Sequence, residues 1–311
     1  MKPSLRIFHG ASNPMESVLT LIAPTVGDLN NEVVKLAADC LHQSGAHVNE
    51  SDWLSDGESC DLFFSGVLAD SIESRLRDIF TNTRIDMAIQ PHEGRRKKLL
   101  LADMDSTIVT TETLDELAEY AGLKEQISEI TERAMNGEIL FRDALKERVG
   151  MLKGLGSETM AKTMERITYS PGARTLVRTM SANGAYTALA SGGFRYFTGR
   201  VKQALGFDFE IGNEIEIADG KFTGEIIGDI VTKAVKRETL ITLAEQQRID
   251  ISETMTVGDG ANDLPMLEHA GTGVAYHAHP IVIAGAPYRI DHAGLDALLF
   301  LQGYRRNEFV T

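Results

Sequence analysis

"LLLADMDSTIVTTETLDELA", residues 99–118, ends a run of apolar residues in two aspartates, Asp103 and Asp105. An apolar run of this kind normally ends in a turn, and a single aspartate there would cap the helix that follows. The second aspartate needs a further reason. Apolar residues without polar alternation, as in "KLLLADMD", indicate a strand buried on both faces. "AYTALASGG", "TMTVGDG" and "TGVAY" repeat that texture. Amphipathic helices around "FRYFTGRVKQALG", "VKRETLITLAEQQ" and "DLPMLEHAG" lie between or beside them. Strands alternating with helices predict an α/β fold, a doubly wound parallel sheet covered on both faces. "FEIGNEIEIADGKFTGEII" alternates around a "DG" turn and predicts an antiparallel hairpin. Between the first two strands, at about residues 112–168, lies a helical insertion longer than a crossover needs, a candidate cap over the strand ends.

Upstream of this unit the order changes. Residues 17–91 parse as strand, helix, strand, strand, helix, strand, which predicts a small α+β unit of the ferredoxin-like kind over residues 1–92. "PHEGRRKK" then suits a solvated basic connector, with residues 93–98 as the linker and 99–311 as the larger unit.

The chain has 311 residues, with 31 basic against 45 acidic side chains and a formal charge of -14. Such a balance gives no general field for nucleic acid or anionic lipid, so an anionic ligand must be held by a metal, a few placed cations and backbone N–H groups. Cys40 and Cys60 show no metal-like or redox spacing and are expected to be reduced. The opening 24 residues carry no signal-peptide pattern, and no segment reaches the roughly 20 apolar residues of a membrane span. A cytoplasmic location is the expectation.

Ligands of doubly wound sheets bind outside the carboxyl ends of the strands. Asp103 and Asp105 end one strand, Ser191, Gly192 and Gly193 the next, and Asp259, Gly260, Asn262 and Asp263 a third. Gathered carboxylates repel unless a cation sits among them, and all-oxygen ligation selects a hard ion such as Mg²⁺. Each motif alone is weak, but three in order on strand ends, with a lysine-bearing helix before the last, are specific. His269, His277, His279 and His292 do not have the spacing of a helical metal pair.

"DMDST", "SGG", the lysine of "KAVKRE" and "GDGAND" resemble the four motifs of the haloacid dehalogenase-like phosphatases. "ETLDELA", "MNGEILFRDALKERV", "SPGARTL", "SGGF" and "DGKFTGE" resemble the phosphoserine phosphatase branch of that superfamily over about residues 98–300. The resemblance implies a Rossmannoid core with a helical cap, and Asp103 as nucleophile. An aspartate of ordinary pKa about 3.9 is ionised at neutral pH and needs no base. It also implies Mg²⁺ on the Asp103 carboxylate, the Asp105 backbone carbonyl and Asp259, with Asp263 in support. Asp105 would pass the proton to and from the departing and attacking oxygens.

Ser191, the Gly192 N–H, Lys236 and Asn262 would hold the phosphoryl group. Lys233 is the alternative lysine, and a helix-capping role is the alternative for Asn262 and Asp263. Glu112 and Arg148 would take the ammonium and carboxylate of O-phosphoserine, with Met135 and Phe141 as the apolar lid. The residues alone favour Glu112 as a first-turn helix acid and Arg148 as a solvated ion-pair partner; the substrate roles come from the resemblance. The front unit resembles the amino-acid-binding ACT-like domains, which implies serine binding or a homodimer. The rival functions are a phosphatase for another small phosphomonoester or a phosphoprotein, and a binding module without turnover.

Overall fold

The computed structural model describes residues 17–67 and 69–311. The first sixteen residues of the expected 1–92 unit therefore lie outside the described residues. The front unit follows the expected order: β1 (Ser17–Ile22), α1 (Asn31–Gln43), β2 (His47–Ser55), β3 (Ser59–Ser65), α2 (Ala69–Phe80) and β4 (Asp86–Pro91). Its strands lie in the order β2-β3-β1-β4, every pairing antiparallel, which is the ferredoxin-like arrangement. Helix α1 starts where Asn30 Oδ1 accepts the N–H groups of Glu32 and Val33 at 2.9 and 3.1 Å.

The sheet alternates in what it buries, as a period of two requires. Leu19, Leu21, Cys60, Leu62, Phe64, Met87 and Ile89 form one core with Ala37, Leu41, Ile72 and Leu76 of the two helices. Ile22, Leu54 and Ala88 instead join the core of the second unit.

That second unit begins with β5 (Leu99–Ala102), followed by the cap helices α3 (Thr113–Ala118), α4 (Lys124–Met135), α5 (Phe141–Met151) and α6 (Thr159–Arg166). The chain then returns through α7 (Ala173–Ala182), β6 (Tyr186–Phe194), α8 (Arg195–Leu205) and the hairpin β7 (Phe209–Ala218) and β8 (Lys221–Ile227). Next come α9 (Lys233–Gln247), β9 (Thr254–Gly258), α10 (Leu264–His269), β10 (Thr272–Tyr276), α11 (Pro280–Gly285), β11 (Tyr288–Ile290) and α12 (Ala297–Leu301).

The seven strands lie in the order β11-β10-β9-β5-β6-β7-β8 and are parallel except for β7 with β8. Strand β5, which carries the aspartate pair, is central, with β9 and β6 on its two sides. The three predicted motif strands are thus neighbours. β11 is too short, at three residues, to show a pattern in the sequence.

The expected solvated connector is corrected by the structure. Arg95 is only 9% exposed. Its guanidinium donates to Asp61 Oδ2 at 2.6 Å, Thr20 Oγ1 at 3.1 Å, and the carbonyls of Leu301 and Phe300, both at 3.1 Å. A positive charge in a Gly- and Lys-rich stretch reads as surface, but here its planar fork suits several fixed acceptors at once. Arg96 pairs with Glu308 at 2.6 Å and lies over the Tyr304 ring. The front unit is also fixed by Asp86, whose carboxylate accepts the N–H groups of Asp291, His292 and Ala293 at 2.7, 3.1 and 2.8 Å.

Removing one member of a buried ion pair leaves the other charge without compensation, at a cost of about 3–5 kcal/mol. Arg95→Met should therefore lower the urea-unfolding free energy by about that amount. Arg95→Met combined with Asp61→Leu should recover most of the loss. A single variant as stable as the parent would show that the Arg95 contacts do not join the units.

Candidate active site

Strand β5 ends at Ala102, and Asp103 still donates its backbone N–H to Val257 of β9 at 3.0 Å. The chain then makes a wide turn over Met104–Ile108, closed by the Val109 N–H on the Met104 carbonyl at 2.9 Å. Asp105 keeps an extended backbone and Ser106 takes φ +55°, a left-handed conformation that non-glycine residues seldom adopt. The strand has therefore ended just before the two aspartates, the turn begins between them, and both line one pocket beneath the cap. Asp105 Oδ1 accepts the Thr113 N–H and Oδ2 accepts Ser191 Oγ–H, both at 2.8 Å. Ser191 is itself held by the Gly193 N–H at 2.7 Å.

Asp103, Asp259 and Asp263 bring one carboxylate oxygen each to within 4.8 Å of one another, and all are buried. Lys236, fully buried on α9, donates to Asp103 Oδ1 at 2.5 Å and to Asp263 Oδ1 at 2.7 Å. Burial raises the Asp103 pKa well above the ordinary carboxylate range, and repulsion from Asp263 and Asp105 adds to it, against the pull of Lys236. Asp259 is raised in the same way by burial and then by Asp103 and Asp263. Burial disfavours the Lys236 ammonium, but Asp103 and Asp263 outweigh it and hold its pKa above the ordinary value. Three buried acids with one buried base leave an excess of negative charge, and the available donors are oxygens. That combination fits a hard divalent cation.

The cap closes the other side. Glu112 sits at the start of α3 without capping it, and Ser106 Oγ–H donates to its Oε1 at 2.8 Å. Burial, followed by repulsion from Asp105, Asp259 and Asp115, raises its pKa well above the ordinary value. Arg148 on α5 is 3% exposed, which rules out a solvated partner. Burial lowers its pKa, opposed chiefly by Glu112.

Met135 and Phe141 line the same pocket. A side chain at Gly192 would overlap the Phe141 ring, and one at Gly260 would lie 2.6 Å from Met135 Sδ. These two glycines let the cap approach the strand ends. The Ala261 N–H to the Met135 carbonyl at 3.0 Å and His279 Nδ1 with Asn136 Oδ1 at 3.1 Å join cap to core.

Residues 100–268 match the model of the haloacid dehalogenase-like hydrolases. The chain is 43% identical over 216 residues to the phosphoserine phosphatase of Archaeoglobus fulgidus, covering 69% of this chain and 63% of that protein. It is 33% identical to the phosphoserine phosphatase of Saccharomyces cerevisiae, covering 97% of this chain and 96% of that protein. A solved phosphoserine phosphatase described as a phospho-aspartyl intermediate analogue is 38% identical, with a TM-score of 0.64, covering 66% of this chain and 98% of that one. The chain belongs to the haloacid dehalogenase-like hydrolases. It spans about three fifths of the length of several of the curated relatives it matches, as with the archaeal protein at 63%.

The site of this haloacid dehalogenase-like hydrolase forms where the ends of β5, β6 and β9 converge. Asp103, Asp105, Glu112, Met135, Phe141, Arg148, Gly192 and Asn262 line the pocket. Lys236, not the exposed Lys233, reaches Asp103. Asp263 caps no helix; its carboxylate holds Lys236 and accepts the Gly260 N–H at 3.2 Å. Asn262 lines the pocket, and its Oδ1 is buried without a hydrogen-bond partner. Sequence reasoning missed Thr107, which donates to Asp259 Oδ1 at 2.9 Å, and also Ser106, Thr113, Asp115 and Thr131. The hydroxyl-rich "DSTIVTTET" just past the strand was the available signal.

Lys236→Met would leave Asp103 and Asp263 without their cation, a loss of about 3–5 kcal/mol. Acids whose folded pKa is raised bind more protons folded than unfolded, so stability falls as pH rises through that range. The deficit of Lys236→Met in denaturant titrations should therefore be larger at about pH 8 than at about pH 5. A deficit independent of pH would contradict the role of Lys236 as their counter-charge.

Proposed function

We propose that this chain hydrolyses O-phospho-L-serine to L-serine and inorganic phosphate, with the phosphoryl group carried for one step on Asp103. The observation that carries this reading is one acid and one base, Glu112 and Arg148, lining the cap side of the pocket that has Asp103 on its floor. An amino-acid phosphate presents one ammonium and one carboxylate beyond its phosphate, and that pair complements them. The likeness to a phosphoserine phosphatase described as a phospho-aspartyl intermediate analogue supports the covalent step.

In the first half-reaction an Asp103 carboxylate oxygen bonds to phosphorus as the bond from phosphorus to the serine oxygen breaks. Asp105, fixed by Ser191 and Thr113, gives its proton to that leaving oxygen. In the second, Asp105 takes a proton from water as the water oxygen bonds to phosphorus and the Asp103 bond breaks. Ser191 Oγ–H, the Gly192 N–H, Lys236 and the side-chain amide N–H of Asn262 would donate to the phosphoryl oxygens. Mg²⁺, held by the Asp103 carboxylate, the Asp105 backbone carbonyl and Asp259, would supply positive charge where two anions must meet. Thr107 orients Asp259, and Asp263 holds Lys236 beside Asp103. Met135 and Phe141 exclude water from the closed pocket.

Release of free L-serine fits the last step of serine biosynthesis, and two unpaired buried cysteines fit a reducing cytoplasm. A pocket lidded by Phe141 and Met135 disfavours a phosphoprotein. Its acid and base disfavour a phosphomonoester that lacks both charges. For the front unit the βαββαβ order supports serine binding or pairing of two copies, through the α1 and α2 face, since the other sheet face meets the second unit. Sedimentation of the full chain with and without L-serine tests both, and a monomer indifferent to serine would remove the dimer and any serine-driven assembly.

The decisive assay is release of inorganic phosphate from a panel of phosphomonoesters, with and without Mg²⁺. Phospho-L-serine should be the best substrate and turnover should require the cation. Asp103→Asn should eliminate turnover while still binding substrate. No release from phospho-L-serine would overturn the reading.

A further inference from the structure

Two buried cap residues that the reaction scheme does not use, Asp115 and Thr131, form a chain with Arg148. Asp115 on α3, Thr131 on α4 and Arg148 on α5 are 7%, 4% and 3% exposed. Thr131 Oγ–H lies 2.7 Å from Asp115 Oδ1 and 3.0 Å from the Ile127 carbonyl, so its proton goes to the nearer, charged acceptor. The same oxygen accepts Arg148 Nη1–H at 2.8 Å, and Arg148 Nε–H donates to the Ala144 carbonyl at 3.3 Å. Among the described residues Arg148 has no direct carboxylate partner, although Asp115 is only one hydroxyl away.

This arrangement is unusual in its economy of charge. A buried guanidinium normally takes a carboxylate directly, and a direct Asp115 partner would occupy the donors that face the pocket. With the hydroxyl between them, Asp115 stabilises the cation at a distance while part of the guanidinium fork remains for a second anion. Three helices each give one member, so the spacing is fixed by how the cap helices pack.

We propose that Thr131 is a positioning residue that acts as a spacer, keeping Asp115 off Arg148 so that the guanidinium is free for the carboxylate of the substrate. The proposal rests on the reading of the site as one for an amino-acid phosphate. It identifies the Asp115–Thr131 pair, rather than Arg148 alone, as the source of selectivity for a substrate bearing a carboxylate.

The test compares O-phosphoserine with O-phosphoethanolamine, which keeps the ammonium and lacks the carboxylate. Thr131→Val should lower the ratio of kcat/KM for phosphoserine to that for phosphoethanolamine about tenfold, chiefly through KM for phosphoserine, as expected for one charged hydrogen bond. Thr131→Ser should restore the ratio. Asp115→Asn added to Thr131→Val should recover about half of the lost ratio, because the competing charge is gone. Equal losses on both substrates, a Ser variant as poor as Val, or no recovery in the double variant would each overturn the proposal. A crystal structure of ligand-free Thr131→Val gives a readout independent of turnover. Asp115 in direct contact with Arg148 is expected, and a pair still held apart would contradict the spacer. If the parent enzyme fails to hydrolyse phosphoserine, the functional reading falls, while that structure still decides whether Thr131 keeps the two charges separate.

Discussion

Lys236 lies wholly inside the protein between two carboxylates, and the arrangement of the strand ends depends on it. Buried acids in such number would repel one another apart, or take up protons, unless a cation stood among them. The lysine on α9 binds Asp103 from β5 and Asp263 from the loop after β9, so it ties two neighbouring strand ends to one helix. It neutralises only part of the charge. The remainder, carried by Asp103 and Asp259, makes the pocket receptive to a further cation and, with one bound, to a doubly charged phosphate.

The cap completes this site with chemistry of a different kind. The floor is built from strand ends, whereas the cap presents an acid, a base and two apolar side chains; in the proposed reaction the floor handles phosphorus and the cap selects what is attached to it. Contact between the two is close because glycines occupy the positions where a side chain would hold them apart. The front unit is fixed to the same body by Arg95 and by the Asp86 carboxylate on three consecutive N–H groups. Its sheet therefore covers α12 with one face and its own helices with the other.

Much of this was legible because strands buried on both faces lack polar alternation, so β5, β6, β9 and β10 and the polar residues at their ends announce themselves. The aspartate pair could be interpreted once the strand was known to stop just before it. The residues that orient others were not legible. Thr107 and Thr131 act through hydroxyls whose partners lie far along the chain or across the cap, and a threonine carries no charge signal of its own. Arg95 misled for the complementary reason. A charged residue beside glycine and lysine looks solvated, and only the docking of two units supplies the acceptors that bury it.

In the proposed reaction Asp103, and no other acid in the cluster, carries the phosphoryl group. Rapid acid quenching during turnover of phospho-L-serine, followed by peptide mass spectrometry, tests it most directly. The peptide containing Asp103 should carry the mass of one phosphoryl group, and fragmentation should place it on that residue. Phosphorylation on Asp105 or Asp259, or direct transfer to water shown by inversion of a chiral phosphoryl group, would contradict the account.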